Sequence, residues 1–409
     1  MKQKQLPRAA YIHIPFCRRR CYYCDFPVSV VGDRSRGETS GSIEEYVGIL
    51  SREIQAIASS PATQLATVFF GGGTPSLLSV SQLEQILTTL DQTFGIESGA
   101  EISMEIDPGT FNFEQIQGYR QAGVTRFSLG VQAFQDPLLQ KSGRSHTSKD
   151  ILHSVDLIRQ AKINNLSLDL ISGLPYQSIT QWQNSLETAL KIAPEHLSCY
   201  DLVLEPVTAF GKQYQPGEKP LPGDETTAAM YRLAQKTLTA GGYEHYEISN
   251  YAQSGYQCRH NLVYWHNQPY YGFGMGAASY VQGQRFTRPR TRKQYYAWVE
   301  DLIAADGILN YPTTSAEDLL LESLMLGLRL AQGVNLKQIN QQFGQPIVDR
   351  IWRCVQPYYH QGWIEILDPQ GRQSPTLETA SRIKLSDPEG FLFSNTVLAA
   401  LFNQVIISE

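Results

Sequence analysis

Through residues 1–240 the chain alternates short apolar runs with longer stretches whose apolar positions recur every three or four residues. Six runs read as strands: 9–14 (AAYIHI), 65–70 (LATVFF), 101–106 (EISMEI), 124–131 (VTRFSLGV), 164–170 (NNLSLDL) and 197–204 (LSCYDLVL). Each is rich in β-branched, aromatic or leucine side chains and is bounded by Gly, Pro, Ser or Asp. Between them the spacing predicts helices near 42–58, 79–94, 112–122, 148–162 and 179–192, the first capped by Ser42 with Glu45. Such β-α alternation calls for a parallel sheet with right-handed crossovers. Six units suit either an incomplete TIM-like barrel or a doubly wound sheet, and the pattern does not choose between them.

After residue 221 the rhythm fades. Residues 224–240 read as a helix, and 243–273 form an irregular aromatic segment. From Ser315 a helical period returns in SAEDLLLESLMLGLRLAQG, opened by Ser315 and Asp318 and expected to stop at Gly333. Three parts are expected: a core over 1–240, a connecting segment over 241–309, and a mainly helical domain over 310–409. The stretch 31–41 (VGDRSRGETSG) reads as a loop, and the apolar run Phe391–Ile407 covers a core or a partner.

Composition narrows the class. With 409 residues, 42 % hydrophobic and 18 % charged, the chain has material for two buried cores. A net charge of -5 gives no pervasive basic field, so nucleic acid is not an expected partner. The opening residues do not read as a signal peptide, and no apolar stretch is long enough to span a bilayer. Six cysteines, three in one cluster, do not form a disulfide framework, which points to a reducing cytosol. Peripheral membrane association, and the choice between monomer and dimer, stay open.

The cluster is Cys17, Cys21 and Cys24 in IPFCRRRCYYCDF. A structural zinc site closes four ligands, usually as two separated pairs. Here Cys199, Cys258 and Cys354 are scattered, and His13, the one nearby candidate for a Cys₃His site, sits in a strand pattern as a packed histidine. A [4Fe–4S] cubane held by three thiolates instead leaves one iron open to a small ligand. Other polar or glycine-rich features also fall at strand ends: Gly71-Gly72-Gly73-Thr74-Pro75 after the second, Glu105 on the third, Gln132 after the fourth, Asp169 on the fifth. All converge on the rim where such folds put their chemistry. Arg144, in the polar KSGRSH loop, is placed to pair with a carboxylate.

CxxxCxxC after a first strand with GGGTP after a second resembles the radical S-adenosylmethionine (SAM) superfamily. YIHIPFC, FFGGGTPS, EIDP, FSLGVQ, LDLISGLP and HNLVYW, in that order, resemble its oxygen-independent coproporphyrinogen III oxidase-like group. The resemblance implies an incomplete (β/α)6 TIM-like barrel with a smaller, mainly helical C-terminal domain. It implies Cys17, Cys21 and Cys24 as cluster ligands, and Tyr11, Tyr23, Gly72, Gly73, Thr74, Glu105, Gln132, Arg144 and Asp169 around SAM. It assigns no catalytic residue.

Within that group the oxidase pattern carries a further cysteine two positions after the third, where this chain has Phe26, and an extension ahead of a motif preceded here by 16 residues. CDF and HNLVYW instead resemble the group's heme-chaperone subfamily, whose members bind heme and pass it to acceptors such as respiratory hemoproteins. Oxidative decarboxylation of coproporphyrinogen III is the alternative activity. Residues 243–273 combine nine aromatic residues with His245, His260 and His266, material for porphyrin walls and an axial ligand. His260 is the first candidate heme ligand, Cys258 and His266 follow, and Arg259 is a candidate partner for a propionate.

Overall fold

The computed structural model describes residues 6–33, 36–57, 63–309, 311–374 and 381–404. Residues 34–35 of the expected loop, residue 58 of the first expected helix and residues 405–407 of the apolar run lie outside that set. Two compact units are present, Met1–Met230 with Cys258–His260 and Pro269–Thr313, and Tyr231–Gln257 with Asn261–Gln268 and Thr314–Glu409.

The first unit is built on the expected alternation: β1 (Ala9–Ile14), α1 (Gly41–Ala56), β2 (Leu65–Gly72), α2 (Val80–Phe94), β3 (Ile96–Ile106), α3 (Phe113–Gln121), β4 (Arg126–Gln132), α4 (Ser148–Gln160), β5 (Leu166–Ser172), α5 (Ile179–Ile192) and β6 (His196–Asp201). The six strands lie side by side in chain order, all parallel. The helices cover them through one apolar stripe each; α1 buries Ile43, Tyr46, Val47, Leu50 and Ile54, spaced three, one, three and four apart. Capping boxes start α2 (Ser79 with Gln82), α4 (Thr147 with Asp150) and α5 (Ser178 with Gln181). Helix α1 departs from expectation: it begins at Gly41 after Ser40, so Ser42 lies inside it.

The aromatic segment is more ordered than its sequence suggests. It holds a short helix, α6 (Arg259–Trp265), and β7 (Tyr271–Phe273), which adds a seventh parallel strand beside β1. Beyond β7, a hairpin and the helix Arg292–Ala304 complete this unit, so part of the expected connecting segment belongs to the barrel body. A fully buried ion pair fixes it there. Arg288 reaches Glu53 of α1 at 2.7 Å, and Glu53 also accepts from the Tyr295 hydroxyl (2.6 Å) and the Gly274 amide (2.8 Å). A buried pair of this kind tolerates removal of one partner badly.

In the second unit, Ala316–Gly327, Gln345–His360 and Ser394–Gln404 pack Leu320, Leu324, Val348, Ile351, Val355, Leu398 and Leu401 against a three-stranded antiparallel sheet. Ser315 caps the first of these by accepting from the Asp318 amide, but the helix ends at Gly327, short of the expected Gly333. Phe391, Val397, Leu398 and Leu401 show that the C-terminal run covers a core. Among the described residues no helix is long and apolar enough to cross a membrane.

Candidate functional site

Register brings the polar strand ends level. Gly71 and Gly72 stand beside His13 and Ile14, Glu105 beside Ser128, and Asp169 beside Gly130 and Ser198. Between Gly130 and Gln132 the pairing with β5 shifts by one residue, and Gln132 takes φ +60°. A bulge of this kind re-aims a side chain. The Cys loop is pinned next to these ends: Phe16 and Cys17 pair with Ser29 and Val30, and the Gly73 and Thr74 amides donate to the Ile14 and Phe16 carbonyls at 2.9 and 2.7 Å. A Cβ at Gly73 would lie 2.6 Å from the Phe16 oxygen, so only glycine permits this approach.

Together these elements enclose a cavity of about 430 Å³ lined by Cys17, Cys21, Cys24, Tyr23, Gly72, Gly73, Thr74, Glu105, Gln132, Arg144 and Asp169. All three cysteines are half-buried free thiols. Burial, reinforced by Asp107 and opposed by a Thr74 hydrogen bond, pushes the Cys17 thiol up to about 12, and burial raises Cys24 as well. Thiols in this state bind a metal only by giving up their protons.

Glu105 accepts from the Gly72 amide at 3.0 Å and is pushed up to about 8 by burial and by the nearby Asp169. Asp169 is raised by burial and held by Ser128 (2.9 Å) and Ser167 (3.1 Å). The Gln132 side-chain oxygen is buried and without a hydrogen-bond partner. Two half-buried carboxylates and an unsatisfied buried acceptor form a wall suited to a cationic, hydrogen-bond-donating ligand.

Tyr11 does not line the cavity; it stacks on Phe69, and its hydroxyl lies 3.0 Å from His13 Nδ1. His13 is buried and neutral, pulled down to about 4 by burial, with Nε2 3.0 Å from the Pro27 carbonyl, so both its nitrogens are engaged. Arg144 does find a carboxylate, that of Asp107, and also donates to the Gly130 carbonyl (3.1 Å) and Cys21 Sγ (3.3 Å). Asp107 was not singled out, although it follows Glu105 by two positions and so shares its face of the chain. The sixth strand, expected to run to residue 204, ends at Asp201, and Tyr200 near its end stands on the cavity wall with Leu202 and Val203 of the following loop, Phe26 and Ile171.

His260 is fully buried at the opposite end of the strands. Its Nδ1 lies 2.8 Å from the Thr67 hydroxyl, its ring stacks on Phe69, and burial pulls it down to about 3. The carboxylate of Glu101 accepts from the Arg259 and His260 amides at 3.0 Å each, and Cys258 is buried against it. This is the capping of a helix start. Of the other aromatics, Tyr243, Tyr251, Tyr271 and Phe273 are buried, Tyr246, Tyr256, Tyr264, Trp265 and Tyr270 are half-buried, and His245 stacks on Tyr251 and bonds Asp387. His266 is exposed, 3.3 Å from the Gln332 amide nitrogen.

Residues 11–189 match the Radical SAM superfamily and residues 314–369 the HemN C-terminal domain. The solved structure of coproporphyrinogen III oxidase (HemN) from Escherichia coli, described as a radical SAM enzyme, aligns with a TM-score of 0.80 at 20 % identity, covering 98 % of this chain and 91 % of that one. Fold and site together define a radical SAM protein. The heme chaperone HemW of Synechocystis sp. is 49 % identical over 97 % of both chains, and that of Bacillus subtilis 38 % identical over 83 % of this chain and 88 % of its own. The chain therefore belongs to the heme chaperone HemW family.

Proposed function

We propose that this chain is a heme chaperone that binds a [4Fe–4S] cluster and SAM and passes heme to acceptor hemoproteins, respiratory ones among them, in the cytoplasm. The observation that carries it is 49 % identity across nearly the whole length of a heme chaperone. The donor set fits the cofactors. Cys17, Cys21 and Cys24 would each take one iron of the cluster, and no fourth cysteine lines the cavity among the described residues. Glu105, Asp169 and the Gln132 oxygen would meet the ammonium and hydroxyl groups of SAM, with Gly72, Gly73 and Thr74 offering backbone at close range. When bound, the cluster supplies one-electron reducing power to the ligand on its open iron.

Arg144 would hold the Cys21 side of the loop through its bonds to Cys21 and Asp107. The test is anaerobic reconstitution followed by heme titration and transfer to an apo-cytochrome. Stoichiometric heme binding with transfer is expected. Formation of protoporphyrinogen from added coproporphyrinogen III, with SAM and reductant present, would overturn the assignment in favour of the oxidase.

A further inference from the structure

Exposed large apolar side chains gather at the mouth of the cysteine-lined cavity. Phe26, Tyr200 and Val203 are 54 %, 43 % and 65 % exposed, yet all three line it. Tyr22 and Val207, also exposed, belong to the segment carrying the cysteines and to the loop following β6, the strand that ends with Tyr200 and Asp201. Deeper on the wall lie Val28, Ile171 and Leu202. Of the other exposed apolar residues, Val30 pairs with Cys17 and extends the cysteine segment, Tyr176 lies under Lys141 close in sequence to Ile179, and Leu152, Ile308 and Phe402 sit singly on separate segments, as is ordinary for a folded surface. Two apolar loops framing one opening are not ordinary.

The opening is also polarised. Arg19 and Arg20 stand on the wall at the cysteine loop, whereas Asp201 stands on it at the end of β6 and Glu205 in the loop after it; Asp25 is the carboxylate on the cysteine side, 3.9 Å from Arg290. Arg20 braces the loop by donating to the Cys24 and Phe26 carbonyls at 3.4 and 3.2 Å, with the Phe26 ring left in solvent. Among the described residues Arg19 is paired with Asp33 in an exposed contact, the kind that costs little to exchange.

We infer that this rim is the heme site: the tetrapyrrole lies between the cysteine loop and the loop after β6, propionate edge toward Arg19 and Arg20, apolar edge toward Val203. The inference rests on the heme-chaperone reading and names the place at which that function is exercised. A flat apolar ligand with one anionic edge matches a slot with apolar walls and one basic end. The acidic side, Asp201 and Glu205, repels propionates and so selects the orientation. Among the described residues no histidine lines the cavity, and His260 is sealed in the strand packing.

The test titrates hemin into the reconstituted full chain and into its Val203→Asp, Phe26→Asp and Arg19→Glu variants, with iron, sulfide and SAM binding measured on each. Val203→Asp and Phe26→Asp are expected to weaken heme binding about tenfold or more, with thermal melting unchanged because both side chains are exposed. Arg19→Glu is expected to weaken hemin but not its dimethyl ester. Phe26 lies near Cys24, so Val203→Asp is the deciding variant should the other lose iron. Wild-type hemin affinity in a Val203→Asp protein with its cluster intact would overturn the rim site and leave the chaperone reading standing. Absence of hemin binding in the unaltered protein would overturn both.

Discussion

Glu105 shows how one residue carries charge logic into the cavity. Its carboxyl is raised from 4.5 to about 8 because burial and Asp169 disfavour the ionised form, with the Gly72 amide and the Arg126 charge opposing. The folded state therefore holds a proton that the unfolded chain has released. Its contribution to stability is full below about 4.5 and is lost as the pH rises through about 8. Thermal unfolding of the cofactor-free protein is expected to fall over that window, with a shallower slope in Glu105→Gln. A cationic ligand reverses the preference, so SAM binding near neutral pH should release a proton, read by calorimetry in buffers of different ionisation heat and diminished in Glu105→Gln. His260 makes the opposite case, chemistry spent on packing. His260→Ala removes the bond to Thr67 and leaves a void, and is expected to cost about 2–4 kcal/mol in urea unfolding. The fraction that stays folded should bind heme as the unaltered protein does.

At the scale of elements, the strands were legible because parallel, covered strands read as apolar runs and their helices as stripes with caps, whereas their order, left open between barrel and doubly wound sheet, followed from the family resemblance alone. The cysteine triplet was legible from spacing, and Glu105 and Asp169 from their places at strand ends. What escaped depends on partners distant in the chain. Nothing near Arg144 announces that Asp107 will occupy it. Tyr11 sits on the β1 face that turns its hydroxyl to His13, a parity that the apolar run conceals. The three residues of β7 are too few to declare a strand inside an aromatic segment, and aromatic density around His260 says nothing about depth. The Glu53–Arg288 pair that seats the segment after β7 on α1 is equally nonlocal. It yields a prediction at this scale. Glu53→Leu alone leaves a buried guanidinium unpaired and is expected to cost about 3–5 kcal/mol, whereas adding Arg288→Met should recover much of the loss. Chemical denaturation of the two single variants and the double variant measures it.

For the whole molecule, the division into two compact units sets where a cofactor can act. Every residue around the cavity belongs to the unit built on β1–β6; the core of Leu320, Val348, Ile351 and Val355 belongs to the other. A ligand that binds only the folded state stabilises what it touches by mass action, and three thiolates on one cluster would cross-link the loop at the first unit's rim. Loss of iron should therefore register unevenly. Hydrogen exchange of the reconstituted protein, compared with the same protein after chelation, is expected to speed up at Phe16–Val30, at the ends of β2 and β3, and in the loop after β6. Amides in the helix Gln345–His360 are expected to keep their protection. SAM added to the reconstituted protein should slow the β3–β5 ends further and leave that helix untouched. Equal deprotection of both units on chelation would mean that the cluster holds up the entire chain, and would break the assignment of its influence to the cysteine-lined rim.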